Sequence, residues 1–333
     1  VSGKQLGLFS SLPDESEVTA LVTDEDRAIA EKVPRWIRFG TSSWSFPGWR
    51  DIVYRGTPSE ESLARAGLGA LATHPLFRTV GLDRSYYGPL RAEDLASYAE
   101  QLDSAAKRAP DLPPFRVVSK VWDEITTAVY PTHPRYGARA GTGNPHFLDV
   151  DRFLSEVLEP YRVAFGTHAG PFVFELTPMP RGAMDEKTLV TRVEAFLERL
   201  PPGWRWAFEL RNEELFGARW LDMLRSNGAA HVYTYWTAMP PIRDQLARGP
   251  VGSSFIVARL MLPPYMRYEA KKAEYAPFNR LVAPQPAMRD DVVDLLRAAA
   301  AADVDDAFVL VNNKAEGSSP LTVKALAKLA TSL

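Results

Sequence analysis

The chain contains no cysteine. Disulfides, thiol catalysis and thiolate metal sites are therefore excluded. Histidine is scarce. The five are His74, His133, His146, His168 and His231, and none stands in an HxH or HExxH spacing. A zinc phosphoesterase barrel would need more histidine at its strand ends, so neither a metal site nor a cofactor is expected. Magnesium on Asp83, Glu175 and Glu209 is the metal alternative left open. No single sign of charge dominates: 39 basic and 41 acidic residues give a formal net charge of -2. That leaves nucleic acid only a local basic cleft and argues against an anionic membrane. No apolar run approaches a membrane span. The N-terminus lacks the basic flank and apolar core of a signal peptide, so a cytoplasmic protein is expected. Glycine-rich phosphate loops are missing as well. The first strand-like run leads into GTSSWSFPGW, which has no GxGxxG spacing, and no Walker A run occurs.

What is present is alternation. Residues 1–34 are polar and acidic and read as an extension closed by Pro34. Beyond them, short runs rich in Val, Ile, Phe, Tyr and Trp recur: WIRFG (36–40), FRTVGLD (77–83), FRVVSKV (115–121), PFVFEL (171–176), WRWAFEL (204–210), AHVYTYW (230–236), SSFIVARLM (253–261) and DAFVLVN (306–312). Such runs suit strands covered on both faces. Helical patterns lie between most of them. Ser59 and Asp185 stand as N-cap candidates, and a glycine follows LRSN as a stop. The weakest linker is IRDQLARGP, with room for only a short helix. Eight strands alternating with helices predict an α/β protein, a (β/α)8 TIM-type barrel of eight parallel strands over residues 35–333. The long segments 123–150 and 262–287 both follow strands and should lie over the mouth.

Chemistry in such a barrel gathers at the C-terminal ends of the strands. Period two puts Ala207, Glu209 and Arg211 on one face and the apolar Trp206, Phe208 and Leu210 on the other. The first set should face the barrel axis. By the same reasoning Lys120 points inward with Val118, Glu175 with Val173, and Arg259 with Val257. Asp83 ends the second strand and Asn313 follows the eighth. The result is a polar ring of Asp83, Lys120, Glu175, Glu209, Arg211, Arg259 and Asn313. It is either a mutually paired plug or a ligand pocket, because uncompensated charges cannot stay there. Lys120, Arg211 and Arg259 favour an anionic ligand. Trp44 and Tyr87 offer stacking faces, and of Tyr86 and Tyr87 one should be core and one pocket.

The stretches IRFGTSSWSFPGW, FRTVGLDRSYYGPL, FRVVSKV, FELRNEELF and VNNKAEGSSPLTV, in that order, resemble the DUF72 family, also called YecE-like. The resemblance covers about residues 36–330. It implies a TIM-type barrel and no established activity. By motif, the positions carried over are Thr41, Trp44, Trp49, Asp83, Tyr86, Tyr87, Lys120, Glu209, Arg211, Arg259, Asn312, Asn313, Glu316 and Pro320. Some positions depart from the family's usual pattern. Gly81 stands for a glutamate, Asp83 for an asparagine, Glu175 for a glutamine, Asn212 for a histidine and Leu215 for a tryptophan. The aspartate usual after strand six is missing from YTYW.

The function expected is hydrolysis of an anionic small substrate containing sugar or phosphate. Glu209 would be the base and Glu175 its acid partner. Asp83 would order water or a metal. Lys120, Arg211 and Arg259 would hold the anion, and Asn313, Trp44 and Tyr87 would complete the pocket. Two other readings stand beside it. One is a non-catalytic small-ligand barrel. The other is a nucleic-acid phosphoesterase using Arg135, Arg139, Arg267, Lys271 and Lys272. No sequence pattern speaks to oligomeric state.

Overall fold

A computed structural model describes residues 18–263 and 273–333. Eight parallel strands close on themselves in sequence order: β1 (Ile37–Thr41), β2 (Thr79–Leu82), β3 (Arg116–Lys120), β4 (Ala169–Glu175), β5 (Trp206–Glu209), β6 (Ala230–Tyr235), β7 (Phe255–Leu260) and β8 (Asp306–Val311). The ring closes through β1 and β8, paired from Ile37↔Ala307 to Thr41↔Val311. This is the TIM-type barrel expected from the alternation.

The side-chain period sorts the strands as anticipated. Val118, Val173, Ala207, Val232, Val257, Phe308 and Leu310 form a separate apolar cluster inside the barrel. Their alternates Val117, Phe172, Phe174, Phe208, Ile256, Ala258 and Val309 join the larger core between sheet and helices. Burial on both faces explains why these strands read as near-continuous apolar runs.

Helices begin where the caps were read. The Ser59 side chain accepts from the Ser62 amide ahead of helix Glu60–Leu71, and Asp185 does the same for Thr188 ahead of Glu186–Leu197. Gly228, at φ 65°, ends helix Ala218–Ser226. The linker after β6 carries only the short helix Ile242–Ala247.

Residues 18–34 are more than a polar tail. Helix Asp24–Lys32 starts with a capping box between Thr23 and Asp26. Lys324, on helix Ser319–Ala330, lies 2.9 Å from Asp26 and 2.6 Å from Glu25. At the other end, Arg78 donates to the carbonyls of Ala30 and Pro34, at 2.9 and 2.7 Å. A guanidinium there neutralises the carbonyl end of the helix dipole. These bonds fix the helix to the N-terminal pole of the barrel.

Candidate functional site

Four inward side chains at the C-terminal strand ends, with Arg211 just beyond β5, build one charged layer above the apolar lumen. Glu175 and Glu209 are direct register partners on β4 and β5. Glu175 Oε2 lies 2.8 Å from Lys120 Nζ, 2.8 Å from Arg211 Nη2 and 2.7 Å from Arg259 Nη1. Glu209 is sealed from solvent. One of its oxygens bonds Arg211 Nε at 2.8 Å and the other bonds Arg259 Nη1. Aromatic faces back the cations. Lys120 Nζ sits 3.9 Å from the centre of the Tyr86 ring, and the Arg211 guanidinium lies 4.6 Å from that of Trp236.

Burial alone would push the Glu175 carboxyl up. Arg211, Lys120 and Arg259 outweigh it and hold the group well below the ordinary carboxylate range. Such a group stays ionised at neutral pH and has no proton to give. The expected acid role for Glu175 therefore loses its physical basis. Glu209 is poorly placed as a base for the same network: both oxygens are engaged, and no face is open to substrate or water. Together the two glutamates anchor the arginines.

Asp83 is different. Its side chain is 37% exposed, and Oδ1 lies 3.9 Å from Lys120 Nζ and 3.7 Å from Arg259 Nη2. Both distances exceed hydrogen-bond length. Among the described residues Arg259 Nη2 has no hydrogen-bond partner, although the residue is 1% exposed. A buried guanidinium nitrogen left in this state costs about 1–3 kcal/mol. Asp83 thus stands loosely between two cations, as the accessible carboxylate of the ring.

Other sequence-chosen residues fall elsewhere. Trp44 lies in the core, edge-on to Tyr98 and against helix Glu60–Leu71, where a Cβ on Gly67 would come 3.1 Å from its ring. It cannot serve as an open stacking wall. Asn313 is buried, and its Oδ1 accepts from Trp49 Nε1 and from both the amide and the hydroxyl of Ser319. That carbonyl orders the turn into the last helix. Asn312 accepts from the Lys314 amide and so shapes the same turn. Glu316 pairs with Arg289 at 2.8 Å and accepts from the Gln285 amide. Tyr86 is the buried member of its pair, and Tyr87, 71% exposed, stands at the rim. Asn212, in the histidine position of the motif, clamps the Met179 backbone through both ends of its amide.

The segment after β3 is a built structure. Arg135 pairs with Asp123 at 2.5 Å and Arg139 with Glu124 at 3.0 Å. Asn144 donates to two carbonyls and accepts from Tyr130. These arginines are already neutralised, which weakens the nucleic-acid track. Arg267, Lys271 and Lys272 lie outside the described residues. Arg135 also leans over Tyr86 and Tyr87, 5.4 Å from each ring, so this segment reaches the mouth.

Among the described residues no helix is long and apolar enough to cross a membrane, and no group of three or more His, Asp or Glu could hold a metal ion. A cavity of about 800 Å³ lies at the opposite pole, beside the N-terminal helix. Its Arg78 is spent on backbone carbonyls, and the chemistry of the ring is remote from it.

Solved structures agree on the fold. A DUF72 family protein from Enterococcus faecalis shares 16% identity at a TM-score of 0.57, over 90% of this chain and 99% of its own. A DUF72 family protein from Thermotoga maritima shares 18% at 0.56, over 88% and 98%. At these identities the likeness carries the fold alone. No curated protein matches the sequence. Residues 38–332 match the family described as protein of unknown function DUF72, and the chain belongs to that family.

Proposed function

We propose that the barrel mouth recognises a small anionic ligand of the phosphate-ester or carboxylate class. One observation carries this reading: Asp83 sits between Lys120 and Arg259 beyond hydrogen-bond reach of both, while Arg259 Nη2 has no hydrogen-bond partner among the described residues. An oxyanion entering that gap would make two charge-assisted bonds where Asp83 makes none. Tyr87 and the half-buried Trp236 border the cations and suit a sugar ring or another flat polar body. Glu175 and Glu209 hold the guanidiniums in place before the ligand arrives, which lowers the cost of binding.

A second reading, hydrolysis, rests on the exposure of Asp83. It is the accessible carboxylate of the ring, so the base role passes to it from Glu209. Calorimetric titration with a hexose phosphate, glycerol phosphate and a hydroxy acid tests recognition. Lys120→Gln should weaken the best of these about tenfold, the worth of one charge-assisted bond. Equal affinity in that variant would remove the mouth as the binding site. Turnover of the bound ester, lost in Asp83→Asn with binding retained, would identify the hydrolase.

A further inference from the structure

The inward period that builds the mouth also runs to the other ends of the strands. Arg38 on β1, Arg116 on β3, Arg205 just before β5 and Asp306 on β8 share parity with the lumen residues Val118, Ala207 and Phe308. They form a second charged layer at the N-terminal pole. Its composition differs from that of the mouth. The mouth sets Lys120, Arg211 and Arg259 against Glu175, Glu209 and Asp83. The lower layer sets three arginines against one aspartate.

That aspartate is fully used. Arg38 Nε lies 2.5 Å from one oxygen of Asp306, and Arg205 Nη1 lies 2.5 Å from the other. Arg38 and Arg205 also lie over the Phe308 ring at 5.7 and 5.8 Å, so they floor the apolar lumen. The side chain of Arg116 has no hydrogen bond or ion pair among the described residues. It stands half-buried in the field of the other two. Burial, with repulsion from Arg38 and Arg205, lowers its proton affinity despite the attraction of Asp306. A cavity of about 640 Å³ opens beside this layer and is lined by Arg35, Trp36, Arg38, Pro114 and Asp306. The rim acids Asp111 and Asp305 pair with none of the three arginines.

We propose that this pole is a second anion site, in which Arg116, with Arg38 and Arg205 beside it, binds a small multivalent oxyanion such as a phosphate group. Two positive charges in a half-buried layer need a counter-anion more than a surface cluster does, because solvent screens them less. Planar guanidiniums from different strands present the forked donors that a tetrahedral oxyanion accepts. A bound phosphate would tie β1, β3 and β5 together at the end away from the mouth. The proposal is independent of the reading given for Asp83 and Lys120.

Thermal unfolding of the full chain in inorganic phosphate, against chloride at equal ionic strength, tests it. Phosphate should raise the wild-type midpoint saturably. Arg116→Gln should raise the half-saturating phosphate concentration about tenfold or more, from the loss of one charged partner. Lys120→Gln, at the mouth, should leave the lower-pole response in place. Arg116→Lys keeps the charge but loses the fork, and should fall between wild type and Arg116→Gln. It also serves if the glutamine variant fails to fold. No saturable shift in wild type would overturn the proposal. So would a shift that survives in Arg116→Gln and disappears in Lys120→Gln.

Discussion

Glu175 and Glu209 stand side by side in register on adjacent parallel strands, and a single nitrogen, Arg259 Nη1, bonds an oxygen of each. Two buried carboxylates so close would repel each other without that cation. Arg211 and Lys120 complete the neutralisation from the solvent side. The charged layer is therefore one coupled unit, and removing one member strands the others.

Arg259→Leu should cost about 3–5 kcal/mol, the usual penalty for breaking a buried ion pair from one side. Arg259→Lys keeps the charge but cannot serve Glu175, Glu209 and the Asp83 gap together, and should lose less. Urea unfolding of the two variants measures both. A loss below about 1 kcal/mol in the leucine variant would mean that the ring is a set of independent surface-like pairs.

Acid should weaken the protein in two separate windows. Burial lowers the buried imidazoles of His74 and His231 from 6.5 to about 4. In the unfolded chain they take up protons first as the pH falls. Their contribution is therefore complete above 6.5 and drains away between 6.5 and 4. A change of this size amounts to about 3 kcal/mol for each. Glu175 is also depressed when folded, so its contribution begins to fade only below the ordinary carboxylate value of 4.5. Stability measured across pH for His74→Gln/His231→Gln should be flatter than wild type from 6.5 to 4 and keep the Glu175 loss below that. An unchanged slope in the upper window would show that these histidines do not drive it.

The N-terminal helix should open on its own when its clasp is cut. Lys324 bridges Glu25 and Asp26, and Thr23 caps the first turn. Thr23→Ala removes about 1 kcal/mol of capping. Lys324→Met leaves the buried Asp26 carboxylate without its lysine and should cost about 1.5–3 kcal/mol. Hydrogen exchange should quicken over residues 24–32 in both variants while the strand amides stay protected. Uniform loss across the barrel would mean that the helix is not a separate opening unit.

Much of this was legible because strand alternation is a local rule. Val118 with Lys120, Val173 with Glu175 and Val257 with Arg259 face inward as period two requires, and the observed strands lie within two residues of most apolar runs. What alternation does not report is the partner. Glu316 meets Arg289 through a loop, Asn313 is consumed by Trp49 and Ser319, and Trp44 is drawn into the core by the gap at Gly67. Nor does it report whether a carboxylate at a strand end is open or sealed, which separates Asp83 from Glu209. The lower arginine layer carried the same signal in Arg38, Arg116 and Arg205. It lies at the end opposite the one where barrel chemistry gathers.

Asp83 should behave as a placeholder for ligand. Its carboxylate holds a position between Lys120 and Arg259 without bonding either. Asp83→Asn removes the negative charge with little change of shape. An incoming oxyanion then meets two cations without a competing carboxylate, so phosphate-ester affinity should rise about five- to tenfold at low salt. The gain should shrink as salt is added, because Asp83 is exposed enough to be screened. Calorimetric titration of a hexose phosphate at two ionic strengths reads both effects. Weaker binding in Asp83→Asn would mean that the carboxylate accepts a bond from the ligand, and the displacement argument would fall. Turnover is the independent measure. Were Asp83 the base, the same substitution would tighten binding while lowering kcat by about 10²–10⁴, the range for removal of a general base. Glu209→Gln, by contrast, should lower stability before it changes any chemical step, because among the described residues its carboxylate bonds only Arg211 and Arg259.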